Sequence, residues 1–307
     1  MINLRFHIVS LVAVFLALAI GIAVGATVVD QGLVGKLNTD IGRFDRQLRD
    51  RATTIDGLKT RVALAERLGI DGEERMIRDR LRTVPVLVVV AAGVAEEPVR
   101  AIESRLRQSG ARVQGEVQIL PRMQLAVPAD YTDVRRALDA ASQRPATLRV
   151  LLRRRLVDAI VAPESSPTIA GLVDAGFVGF RVDGRTAPVV TLAPGTRVVV
   201  LSGPKAALAD SAFLLPFLTE LALDSSARAV VGDIPAARVV DGAPRPAPRF
   251  VASVRKVRGL AARVSTVDDV DLVAGRLATV YALEDLAVNR TGHYGLSKDA
   301  DSLLPAA

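Results

Sequence analysis

Val84-Pro85-Val86-Leu87-Val88-Val89-Val90 is a continuous apolar run rich in β-branched residues. Such a run reads as a strand covered on both faces, the kind found inside parallel sheets. Glu96–Ser109 follows with apolar residues at helical spacing and stops at Gly110; Arg112–Leu120 is the next strand. A strand, a helix and a strand in that order imply a parallel pair with a right-handed crossover. The alternation continues. Helices are expected over 130–142, 148–161, 168–175, 205–223, 250–260 and 270–288, and strands over 178–182, 189–192, 197–201, 228–233 and 262–267. Pro216 should kink or split its helix, and 235–248, with four prolines, reads as a long loop. The fold class is α/β: an open, doubly wound (Rossmann-like), mostly parallel sheet domain over residues 71–290, with a frayed tail over 291–307.

Moving toward the N-terminus, Glu73–Arg82 reads as a short charged helix, preceded by Gly69-Ile70-Asp71-Gly72 as a helix stop. Before that stop lies a heptad. Steps of three and four from Val34 give Leu37, Ile41, Phe44, Leu48, Arg51, Ile55, Leu58, Val62 and Ala65, all apolar except Arg51. A two-in-seven stripe sustained over more than four heptads is the pattern of a coiled coil, and a polar residue in the seam fixes register or oligomer state. Residues 31–70 are therefore expected to form a coiled-coil stalk, roughly 48 Å along the seam, pairing two copies. A single amphipathic helix packed on its own domain is the competing reading.

The first 30 residues carry the apolar run Ile8–Val29, which has no charged residue. As a helix it would reach roughly 33 Å, enough for a hydrocarbon core of about 30 Å. It reads as a transmembrane anchor, with the alternative of a secretory signal cut after Val24-Gly25-Ala26. Either way the rest of the chain is expected outside the cytoplasm, with the N-terminus inside. Ala17, Gly21 and Gly25 form a small-residue face that would let two membrane helices approach closely.

Composition narrows the function classes. Half the residues are apolar but only 4% are aromatic, so the core is built from Val, Leu and Ala. The net charge is +7, carried mostly by Arg, a balance compatible with nucleic acid, an anionic lipid or an acidic wall polymer as partner. There is no Cys, which excludes disulfides, thiolate metal sites and a Cys nucleophile. No glycine-rich dinucleotide fingerprint follows the first strand, and neither a P-loop nor a Gly-x-Ser-x-Gly elbow is present. Ser202-Gly203-Pro204-Lys205 reads as a plain strand-to-helix turn rather than an anion cradle. Ser265-Thr266-Val267-Asp268-Asp269-Val270-Asp271 is the densest polar stretch; Ser265 or Thr266 is expected to cap the following helix, with the acids in its first turn. Asn289-Arg290-Thr291-Gly292-His293-Tyr294-Gly295 reads as a shaped loop closing the domain. The chain is not expected to be an enzyme or to bind nucleic acid, and no catalytic, cofactor or metal residue can be assigned.

Ile2-Asn3-Leu4-Arg5-Phe6-His7, the run Val9–Gly21, the stalk, Ser265–Asp269 and Gly292-His293-Tyr294-Gly295 together resemble the actinobacterial copper transporter family, the MctB-like proteins. The resemblance extends over essentially the whole chain. It implies a cell-envelope protein with one N-terminal membrane helix and a role in copper export or tolerance, copper being implied by the resemblance alone. Related corynebacterial proteins imply a second reading: a dimeric, non-catalytic scaffold or regulator of envelope or septal wall assembly, acting through a membrane-protein partner. A channel needs several helices or a closed barrel, so one helix would have to assemble with others. Copper(I) prefers Cys and Met ligands, and Met1, Met76 and Met123 form no cluster.

Overall fold

The computed structural model describes residues 4–140, 144–161, 167–188, 192–224, 228–235 and 249–306. The chain divides into two compact units, Met1–Glu66 and Arg67–Ala307.

One helix, α1, covers Leu4–Ile77. In the first unit it carries the apolar span Phe6–Gly25, with a mean hydropathy of 2.8 and none of it buried. Among the described residues it is the one helix long and apolar enough to cross a membrane. The expected stop at Gly69–Gly72 is not observed, nor is a separate helix at Glu73–Arg82; the helix runs on to Ile77 and turns follow. A glycine costs a helix only about 1 kcal/mol, and within the second unit tertiary contacts outweigh that cost. Gly69 lies against Val273, and Glu73 and Ile77 are fully buried.

The second unit is built on a mixed sheet of strands β1 (Pro85–Ala91), β2 (Arg112–Ile119), β3 (Val178–Val182), β4 (Arg185–Thr186), β5 (Arg197–Ser202), β6 (Arg228–Asp233), β7 (Ser265–Val267) and β8 (His293–Tyr294). Their order is β4-β3-β2-β1-β5-β6-β7-β8. From β2 to β8 every neighbouring pair is parallel; β3 joins β2 antiparallel and β4 joins β3 antiparallel. The chain steps from β1 outward to β2 and later returns to the other side of β1 with β5, so the order reverses between β1 and β5. The β3–β4 hairpin was not expected. Its signal is Asp183-Gly184, both at positive φ (52° and 73°) in a two-residue turn, the dipeptide that favours tight hairpins.

Both faces of the sheet are covered, which is why β1 is apolar at every position. Leu87, Val89 and Ala91 join one core with helices α3 (Pro128–Ala137), α4 (Pro145–Val161), α5 (Pro167–Asp174) and α6 (Leu214–Leu223). Val86, Val88 and Val90 join the other with the end of α1, α2 (Glu96–Gln108) and α9 (Val273–Asp285). Between them in sequence lie α7 (Arg249–Lys256) and α8 (Arg258–Ala261), two helices where one was expected. Pro216 neither kinks nor splits a helix: α6 begins only at Leu214, so the proline sits in the first turn, where its missing N–H has no carbonyl to lose. The strand expected over 189–192 and the loop over 235–248 fall mostly outside the described residues. The expected frayed tail instead supplies β8, and Ser302 bridges back to Tyr294.

Candidate functional site

Open α/β sheets hold ligands in the crevice where strand order reverses, beyond the carboxyl ends of the strands. Here that place lies between the loops after β1 and β5, and backbone fills it. The Ala207 N–H donates to the Ala92 carbonyl at 2.6 Å. Gly93 has φ +89°, and a Cβ there would collide with the Lys205 carbonyl oxygen. The loop after β5 is closed on its other side, where the Ile234 N–H donates to the Ser202 carbonyl at 2.8 Å. No helix begins at Pro204–Lys205, so Ser202–Lys205 is a plain turn. The Ser202 hydroxyl is taken by Asp210 Oδ1 at 2.6 Å.

The densest polar arrangement lies further along the same edge. It joins two stretches singled out in the sequence, Ser265–Asp269 and Gly292–Gly295. The expected cap is not formed: Ser265 and Thr266 are in β7, and α9 starts at Val273 with Leu272 at its N-cap and no side-chain cap. Instead Arg255, from α7, reaches into the junction. Its Nε donates to Thr266 Oγ1 at 2.8 Å, one terminal nitrogen donates to Ser297 Oγ at 2.7 Å, and the other donates to the Tyr294 carbonyl at 3.2 Å. Asp268, fully buried, pairs with Arg255 at 3.2 Å and accepts the Ser297 N–H at 3.0 Å. Thr266 Oγ1 also meets His293 Nδ1 at 3.0 Å. Burial holds the His293 imidazole below its ordinary range, aided by Arg255 and opposed by Asp301 and Asp268. Gly295, at φ +134°, has no room for a Cβ beside Asp268. The shaped loop thus exists, and its shape fastens β8 to β7.

A neighbouring acid closes the edge. Asp233, at the end of β6, accepts the Val251 N–H at 3.0 Å and so holds the start of α7. Burial pushes its carboxyl up to about 7, with Asp210 and Asp268 adding to the shift.

Soft-metal chemistry has little to work with. Met123 is buried and Met76 is exposed on α1. Among the described residues no three His, Cys, Asp or Glu side chains are grouped to hold a metal ion. The residues singled out on α1 lie in the open instead. Nothing stands within 4 Å of where a Cβ on Gly21 or Gly25 would be, and Ala17 is exposed. Leu37, Ile41, Phe44, Leu48, Arg51, Ile55, Leu58, Val62 and Ala65 are all exposed on the single chain; Val34 falls among residues whose side chains are not described.

The sequence reading missed a buried ion cluster. Arg276 donates Nε to Glu73 Oε1 at 2.9 Å and a terminal nitrogen to Oε2 at 3.0 Å, and Arg105 Nε lies 2.9 Å from the same carboxylate. Its signal was a lone Arg inside the apolar run Leu272–Val280.

One long helix with an apolar N-terminal span and a mixed, parallel-rich α/β unit define the class: an α/β protein with a candidate membrane-spanning helix. The chain belongs to the family described as copper transport outer membrane protein, MctB, which matches residues 1–305. Copper transporter MctB of Mycobacterium tuberculosis is 28% identical over 332 residues, covering 99% of each chain. The protein of the same name from Mycobacterium leprae is 29% identical over 326 residues, again covering 99% of each.

Proposed function

We propose that this chain is a single-span, self-pairing envelope component of copper handling that acts through assembly and not as a pore or enzyme by itself. Copper comes from the family and from relatives named as copper transporters. The observation that carries the rest is the apolar heptad stripe, exposed on one chain and following a single span long enough for a bilayer. Water-exposed Leu, Ile and Phe at a and d positions call for a second helix. The a positions Ile41, Ile55 and Val62 are β-branched and the d positions include Leu37 and Leu58, a choice that favours two parallel strands. Two anchors in one membrane also require parallel pairing. The seam ends before Gly69, whose side of the helix is taken by Val273.

In this reading the N-terminus is cytoplasmic, the α/β unit lies outside the cytoplasm, and that unit is a doubly wound, Rossmann-like module without a working ligand crevice. Any conducting path comes from further copies or from a membrane-protein partner. The scaffold reading shares this architecture, so the test must separate the two. A strain lacking the protein is expected to lose copper tolerance and regain it with the full chain. The purified chain alone in liposomes is expected to pass copper no faster than empty liposomes. Unchanged tolerance in the deletion strain would reject the copper role, and copper flux through the chain alone would reject the assembly role.

A further inference from the structure

Beneath α2 lies a group of charges shared by the helix and the sheet. Glu116 stands on β2 beside Val88 of β1, on the face of the sheet lined by Val86, Val88 and Val90. That face is covered by α2, whose buried residues are Val99, Ile102, Glu103 and Leu106. Glu103 and Glu116 are therefore two carboxylates in one layer, exposed by only 3% and 6%.

The charges around them are short of one cation. Arg107, on α2, lies 3.7 Å from Glu103 and 2.7 Å from Asp183 in the β3–β4 turn. Arg100 lies 3.7 Å from Glu96. Arg181 is directly opposite Glu116 in the β2–β3 ladder, yet it donates to Glu96 at 3.2 Å. Arg105, also on α2, is turned to Glu73 at 2.9 Å. Three arginines thus serve four carboxylates, and Glu116 is left with neither an ion pair nor a hydrogen bond among the described residues. A buried carboxylate without a donor is costly to ionise, and more so beside another. Burial pushes both carboxyls above their ordinary range. At Glu103 Arg107 opposes the shift while Glu116 and Asp183 add to it; at Glu116 Arg181 opposes it while Glu96 adds.

We propose that Glu103 and Glu116 form a proton-operated latch between α2 and the β3–β4 hairpin, closed while the pair holds a proton and loosened when both carboxylates ionise. The contacts that bind the hairpin to α2, Arg107–Asp183 and Arg181–Glu96, border this layer, so repulsion beneath α2 acts on the hairpin. Protons reach the pair from solvent, because the Arg107 and Glu96 side chains at its margin are 38% and 60% exposed. When the region opens, both carboxyls return to the ordinary value of 4.5. The latch is therefore at full strength below that value and weakens as pH rises through the raised ones. It requires neither copper nor self-pairing.

Hydrogen–deuterium exchange of the full chain in nanodiscs of neutral lipid is followed at 96–108, 178–186 and 249–256 from about pH 4 to about pH 8, corrected for the pH dependence of chemical exchange. In wild type, opening of the first two segments is expected to increase by up to about ten-fold per pH unit, the slope for release of one proton. Glu116→Gln is expected to reduce that slope, and Glu103→Gln with Glu116→Gln to abolish it, with the profile of 249–256 unchanged. Both variants keep the side-chain shape, and circular dichroism verifies their fold. A flat wild-type profile at 96–108 and 178–186, the wild-type slope retained in either variant, or an equal change at 249–256 would each overturn the proposal.

Discussion

Arg276 and Glu73 are joined by two parallel hydrogen bonds, at 2.9 and 3.0 Å, across 203 positions of sequence. Glu73 is fully buried and also faces Arg105. This pair fixes the last turns of α1 to α9 in a place where a lone charge would be costly. Glu73→Ala strands two cations in the interior and is expected to destabilise the second unit by about 3–5 kcal/mol. Replacing the carboxylate together with both cations, as Glu73→Leu with Arg276→Met and Arg105→Met, is expected to recover most of that loss, because the apolar set leaves no charge uncompensated. Urea titration of the two variants measures the difference; equal losses would mean that shape rather than charge governs the contact.

Two glycines of α1 should respond in opposite directions. A Cβ on Gly69 would lie 3.3 Å from Val273 Cγ1, whereas nothing stands within 4 Å of one on Gly57. Gly57→Ala is expected to stabilise the helix by about 1 kcal/mol. Gly69→Leu is expected to cost about 1–3 kcal/mol by forcing α1 and α9 apart. Thermal melting followed by circular dichroism separates the two signs.

Asp233 predicts a pH dependence. Its carboxyl is pushed up to about 7 in the fold, mainly by burial, against an ordinary value of 3.8. The native state therefore binds a proton more tightly than the unfolded chain, so stability falls as pH rises from about 4 to 7 and levels above that. Asp233→Asn still offers an oxygen to the Val251 N–H, but carries no charge. It is expected to flatten the slope and to be relatively more stable at pH 8 than at pH 5, in denaturation midpoints measured at both.

Self-association rests on the exposed stripe. Leu48 and Ile55 are 63% and 52% exposed on the single chain. Replacing both by Lys places like charges opposite each other in a parallel pair and is expected to yield monomers in ultracentrifugation. An unchanged mass would remove the coiled coil from the account. Gly21→Leu with Gly25→Leu tests the membrane end separately, and weaker association in a membrane assay is the expected outcome.

Much of the architecture is carried by local pattern. The span Phe6–Gly25 and β1 each advertise themselves, because a helix apolar on every side and a strand covered on both faces each leave a distinct apolar pattern. Strand and helix positions in the second unit follow from the same rule. The β3–β4 hairpin was legible too, in Asp183-Gly184, but a two-residue strand is too short to read by alternation.

Contacts between distant residues were not legible. Gly69 and Gly72 look like a helix stop until α9 is seen packed on that side, and Glu73 looks like a surface charge until Arg276 reaches it. Thr266 and Asp268 look like a helix cap until Arg255, His293 and Ser297 arrive from three other places in the chain. By itself the sequence determined most of the longer helices and strands and which of them must be covered. Only the tertiary structure decided which residues do the covering, because a buried charge or a bare glycine takes its meaning from a partner the local pattern does not name.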